Sequence, residues 1–178
     1  MFRNITLYGL VSGVIVGVPT FGLTVSMNHH RPLAYALFIG YLTMLVALSA
    51  VFVAIKRYRD VDLGGVIGFW RAFGLGLGIS VISGVFYVLA WEAALAVTHM
   101  DFAGDYAKVL IAEQKAKGVT GPALAKLVAD MEAFKHQYAN PLYRYAEGFS
   151  EIFPVGVLVS LVSAALLRNS RFLPARRT

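Results

Sequence analysis

A chain of 178 residues is long enough for one domain, yet 58% of it is hydrophobic, only 15% is charged and the mean hydropathy is +0.66. These values lie outside the range of ordinary water-soluble domains. The absence of cysteine excludes disulfides, thiolate metal sites and thiol nucleophiles. The net charge of +6 does not point to nucleic acid, because the basic residues flank apolar runs and form no stripe interleaved with aromatic rings.

In chain order, Ile5 to Met27 is the first of four apolar runs and holds no charged residue over 23 positions; Leu33 to Ile55 repeats that length. Each exceeds the roughly 20 residues that cross a ~30 Å hydrocarbon core as a helix. The first run is too long for the apolar part of a cleaved signal peptide, and the nearest Ala-x-Ala, at Ala34 and Ala36, lies inside the second run. It is therefore expected to stay as a span. A third span is predicted from residue 72 to about 97, interrupted only by Glu92. The fourth uncharged stretch, Ile152 to Leu167, has only 16 residues. At 1.5 Å per residue it covers roughly 24 Å, so the helix is expected to begin near residue 146 and bring Glu151 to the membrane boundary.

Between the third and fourth spans the pattern becomes amphipathic. Phe102 to Lys117 and Pro122 to Tyr138 read as two helices, with Leu124, Leu127, Val128, Met131, Phe134 and Tyr138 at helical spacing. Lys117-Gly118 closes the first helix; Thr120, as a capping hydroxyl, and Pro122, in the first turn, open the second. A hairpin over about 102–138 is expected to rest its apolar face on the outer ends of the spans or on the lipid surface.

Orientation follows from lysine and arginine near the span ends. With the amino terminus inside, nine basic residues fall on the inner side, from Arg3 through Lys56, Arg57, Arg59 and Arg71 to the carboxyl-terminal arginines. The seven outer ones are spread mostly along the hairpin. Both termini are therefore expected in the cytoplasm. Lys56, Arg57, Arg59 and Arg71, beside Phe69 and Trp70, fit either plain topology anchoring or the clamping of an anionic lipid headgroup.

Within the spans, small residues recur every four positions: Gly9, Gly13 and Gly17 in the first, and two rows in the third, Gly74 with Gly78, and Gly76 with Ser80 and Gly84. Such rows let helices approach closely in lipid. The expectation is that they face one another, serving packing within the chain or a homo-oligomer or membrane-protein partner. "GLGLGIS" follows no strand and has the wrong glycine spacing for a nucleotide fingerprint.

The candidate functional carboxylates are Glu92, Glu147 and Glu151, the last two one helical turn apart. Near the start of a helix they complement its dipole; facing a cavity, Glu92 and Glu151 would suit a proton or cation pathway. His29, His30, His99 and His136 all fall on the outer side and provide imidazoles for a metal, but no tight ligand motif joins them. No cofactor is expected.

The stretches "GYLTMLVALSAVFVAIKRYRD", "GGVIGFWRAFGLGLGIS" with "YVLAW", and "NPLYRYAEGFSEIFPVGVLVSLVSAALL" resemble the successive signatures of a bacterial family of four-span inner-membrane proteins, catalogued as a domain of unknown function. The matching positions include Tyr41, Tyr58, Arg59, Asp60, Glu151 and Pro154. The resemblance implies fold and location and carries over no catalytic residue. The expectation is thus an all-α protein of four transmembrane helices with an extracytoplasmic helical hairpin, forming a single domain. Its expected partners are lipid, itself or another membrane protein. A non-enzymatic component is expected, with a small transporter using Glu92 and Glu151 as the alternative.

Overall fold

A computed structural model describes residues 1–26 and 33–174, the side chains of 33–37 excepted. Every regular element among them is helical: α1 (Phe2–Ser26), α2 (Leu33–Arg57), α3 (Phe69–Thr98), α4 (Phe102–Ala116), α5 (Gly121–Tyr138) and α6 (Pro141–Leu167). Four are long and apolar enough to cross a membrane. Helix α2 runs on into a single π-helical turn, Tyr58–Asp62.

Helix α3 is the central element, with its largest interfaces against α1 and α6. Its partnership with α1 is parallel and keeps one register. A Cβ placed on Gly78 would lie 3.0 Å from Ile5; one on Gly9, 2.8 Å from Ile82; one on Gly13, 2.6 Å from the Phe86 ring; and one on Gly17, 3.5 Å from Ala90. Every four-residue step on α1 is matched by a four-residue step on α3, and each contact sets a small residue against another side chain.

The α3–α6 partnership is antiparallel and equally regular. Gly76 meets Ser160, Ser80 meets Gly156, Gly84 meets Phe149 with Ile152 beside it, and Gly148 meets Val88; the fifth step is the ion pair of Glu92 with Arg144. Ser80 and Ser160 donate to the carbonyls of Gly76 and Gly156 on their own helices, at 2.9 and 2.7 Å, so these buried hydroxyls keep their hydrogen bonds while the backbones close together. Helix α2 joins through Ser12, which donates across the α1–α2 interface to the Ala47 carbonyl at 2.9 Å.

The α1 row and the Gly74/Gly78 row of α3 lie on faces that meet, as the sequence suggested, but staggered so that each glycine opposes a larger side chain and not another glycine. The α1 row receives Ile82 and Phe86, and the two α3 rows part company, Gly78 turning to α1 and Gly76, Ser80 and Gly84 to α6. Glycine against glycine would leave a void; glycine against a branched or aromatic side chain fills it. These faces are occupied within the chain, and of the glycines in the three rows only Gly74 has open space around it.

Unlike a protein in water, the bundle carries large aliphatic side chains over much of its outer surface. Serine and alanine are buried (Ser12, Ser83, Ser163, Ala72), while Leu7, Val14, Leu45, Val85, Leu89 and Leu158 are exposed. In the core these small residues mix with Leu48, Leu75, Ile79 and Ile152, and an outward coat of large aliphatic side chains suits lipid as the surrounding solvent.

Helix boundaries depart from the sequence reading mainly in α6, which begins at Pro141 and not near residue 146. Asn140 caps it, its side-chain oxygen accepting the Leu142 amide at 3.0 Å, and Pro141 takes the first turn, where its missing N–H costs nothing. Thr120 occupies the N-cap of α5 without bonding through its hydroxyl, so the capping role expected of it is not realised. Asp101 does cap α4, accepting from the Gly104 amide at 3.0 Å.

Candidate functional site

Two polar clusters stand at opposite ends of the bundle. At the hairpin end, α3, α5 and α6 converge on Arg144. Its Nε and Nη2 donate to the two carboxylate oxygens of Glu92 at 2.7 and 2.8 Å, and its Nη1 donates to the carbonyls of Tyr138 and Ala139 at 3.0 and 3.3 Å. One planar guanidinium thus grips α3 and satisfies orphan carbonyls at the end of α5. Beside it, Trp91 Nε1 donates to the Tyr138 hydroxyl at 2.7 Å. Burial pushes the Tyr138 phenol up to about 12, so the neutral hydroxyl is the acceptor. The rings of Trp91, Phe102, Tyr106, Phe134 and Tyr138 continue the contact in a chain of aromatic pairs with centroids 5.0 to 6.0 Å apart. This is how the hairpin rests on the spans. Of the α5 residues expected to make that contact, Tyr138 does so through Trp91, Phe134 packs its ring within the hairpin against Tyr106 and Tyr138, and Val128 stays exposed.

The Glu92–Arg144 pair is half-shielded, with side chains 20% and 18% exposed. A double-mutant cycle with Glu92→Gln and Arg144→Gln should give a coupling of about 1–2 kcal/mol in detergent unfolding experiments. A coupling near zero would reduce the pair to a surface contact.

A cleft of about 640 Å³ opens next to this clasp, lined by Glu92, Arg144, Asp101, Phe102, Glu132 and His136 among others. Lys135 closes on Glu132 at 3.0 Å, and Asp101 is engaged with α4. His99 is the left-handed residue that ends α3 (φ 51°), its amide donating to the Leu95 carbonyl, and it is exposed. His29 and His30 lie outside the described residues. Among the described residues no three histidine or carboxylate side chains are grouped closely enough to hold a metal.

Glu151 does not join Glu92. Its carboxylate accepts from the Tyr87 hydroxyl at 2.7 Å, nearly two rungs away from the clasp. Seven residues separate it from Arg144, roughly 10 Å along α6. The 21-residue step from Arg71 to Glu92 covers roughly 31 Å of α3, about the thickness of a hydrocarbon core, and along α6 Glu151 lies on the bundle side of the clasp. Glu147 lies between, exposed.

At the other end, Lys56, Arg57, Arg59 and Arg71 do not act as a set. Arg59 is 0% exposed, which removes it from any headgroup clamp. Its Nε donates to Asp60 at 2.6 Å, and its Nη atoms donate to the carbonyls of Leu167, Phe172 and Leu173 at 3.4, 2.9 and 2.6 Å. Lys56 holds the second oxygen of Asp60 at 2.6 Å. Arg71 donates to the Tyr58 hydroxyl at 2.9 Å and lies over its ring. Arg57 is exposed and Trp70 is 77% exposed, as suits an interfacial edge. The roles of Arg59 and Arg144 were missed in the sequence; the signal for Arg59 was its place in a Lys-Arg-Tyr-Arg-Asp run longer than anchoring requires.

An aliphatic outer coat, four helices long and apolar enough to span, and a polar clasp at each end define a polytopic helical membrane protein. Over residues 7–169 the chain matches the family described as protein of unknown function (DUF4199), and it belongs to that family. No curated protein and no solved structure matches it.

Proposed function

We infer that this is a non-enzymatic component of a bacterial inner membrane, with both termini cytoplasmic. Its bundle holds the α4–α5 hairpin at the extracytoplasmic surface for contact with a membrane partner. The observation that carries this reading is the Arg144 clasp: the carboxylate best placed for chemistry, Glu92, is taken up in fixing the hairpin to α3 and α6. The spread of basic residues supports the orientation, since Arg57, Arg71 and Arg168 lie at the end away from the hairpin. A conducting role for Glu92 and Glu151 has less support, because the two bind different partners and the serines buried between α3 and α6 bond to their own helices.

Proteoliposomes holding the purified chain should pass no protons, sodium or potassium above the rate of empty vesicles. A flux that falls with Glu151→Gln or Glu92→Gln would replace this reading with the transporter. For orientation, reporters active only outside the cytoplasm should work when inserted at Val119 and fail after Pro174; the reverse result would invert the topology.

A further inference from the structure

The outward stripe of α6 changes character along its length. Leu158, Leu161, Val162 and Leu166 are exposed aliphatic residues, as a lipid-facing stripe requires. One and two turns toward the hairpin, the same stripe carries Pro154, Glu151, Ser150 and Glu147, all exposed. The patch is rich in acceptors and short of donors. Glu151 receives one hydrogen bond, from Tyr87; Glu147 has no side-chain partner among the described residues; and Ser150 turns its hydroxyl proton back to the Glu147 carbonyl at 2.7 Å. Pro154 has no amide hydrogen, so the Ser150 carbonyl, four residues earlier, loses its partner in the helix. Two carboxylates and a released carbonyl therefore share one face, with Glu151 roughly 10 Å along α6 on the bundle side of the clasp, toward the hydrocarbon core. Ionisable groups at such depth are costly when left to lipid and are ordinarily paired.

We propose that this face docks a membrane-spanning helix of another protein that carries a lysine or arginine at the depth of Glu151. Charge complementarity selects that occupant over a second copy of this chain. A second copy inserted in the same direction would bring its own Glu151 to this level. Among the described residues, its span cations stand at the far end, as Lys56, Arg57 and Arg71 do, or are held by Glu92, as Arg144 is. The proposal rests on the reading of the protein as a membrane component that engages a partner, and it names the chemistry of that partner.

The test uses the full chain, fluorescently labelled, in phosphatidylcholine vesicles with a synthetic polyleucine spanning peptide carrying one lysine about seven residues below its outer end. Energy transfer should report association about ten-fold tighter than with the all-leucine peptide, and Glu147→Gln combined with Glu151→Gln should abolish the difference. The comparison of the two peptides on the unaltered chain needs no variant to fold. Equal association of both peptides would overturn the proposal while leaving the flux-free reading intact. Transfer between two labelled copies of the chain that is lost in Glu151→Gln would overturn it in favour of self-association. Ion flux that depends on Glu151 would sink both.

Discussion

Arg59→Ala should be the most damaging single substitution in the molecule, lowering unfolding free energy by about 3–5 kcal/mol, the cost of breaking one side of a buried charged network. The side chain is fully buried, and its loss leaves the carbonyls of Phe172 and Leu173 without their donor and Asp60 with only Lys56. The position is demanding because α6 ends there: the last carbonyls of a helix lack partners within it and carry its negative dipole end, so a buried cation satisfies both. Arg59→Lys should recover part of the loss, since an ammonium keeps the charge but cannot reach three carbonyls and a carboxylate with a planar fork. Detergent-denaturation curves followed by tryptophan fluorescence give the energies. Faster tryptic cleavage at Arg168 and Arg171 in Arg59→Ala should report release of the terminal turn. A loss under about 1 kcal/mol would mean that water or lipid reaches this end and replaces the guanidinium.

Gly13→Ala is expected to cost about 1–3 kcal/mol although it adds one methyl group. That methyl carbon would lie 2.6 Å from Cγ and 2.9 Å from Cβ of Phe86, the root of the ring and not its movable edge, so α1 and α3 must separate. The control is Gly74→Ala in the same bundle, where nothing stands within 4 Å; it should be neutral or stabilising by up to about 1 kcal/mol, through the lower chain entropy of alanine. Gly13→Ala with Phe86→Ala should be more stable than the sum of the two single losses, because each relieves the other's defect. If Gly13→Ala and Gly74→Ala behave alike, close approach of α1 and α3 is not what the α1 glycines provide.

The four spans and the hairpin were legible because long uncharged runs and amphipathic spacing are local properties, written in consecutive residues. Which small-residue rows were important was legible too. Their partners were not: Gly13 gives no indication that Phe86 will fill its groove, since the match depends on the relative rotation of two helices 73 residues apart. Glu92 stood out as a charge in an apolar run, and Arg144 stood in plain view, but only the folded register joins them. Counting uncharged residues alone starts the fourth helix near residue 146, whereas with Arg144 paired to Glu92 it extends to Pro141. The buried Arg59 shows the same limit, since arginines beside a span read as surface anchors until an end of another helix closes over one of them.

The matched four-residue registers on both sides of α3 constrain how the bundle can move. A slide of one or two residues would drive Phe86 off Gly13 and Phe149 off Gly84, into neighbouring side chains on two helices at once. A whole four-residue step, about 6 Å, fares no better: toward the hairpin it sets Gly9 against Gly78 and Gly76 against Gly156, and it tears Glu92 from Arg144. Piston-like travel of α3 is therefore blocked on two helices at once, and the clasp at the hairpin end locks the single register that fits.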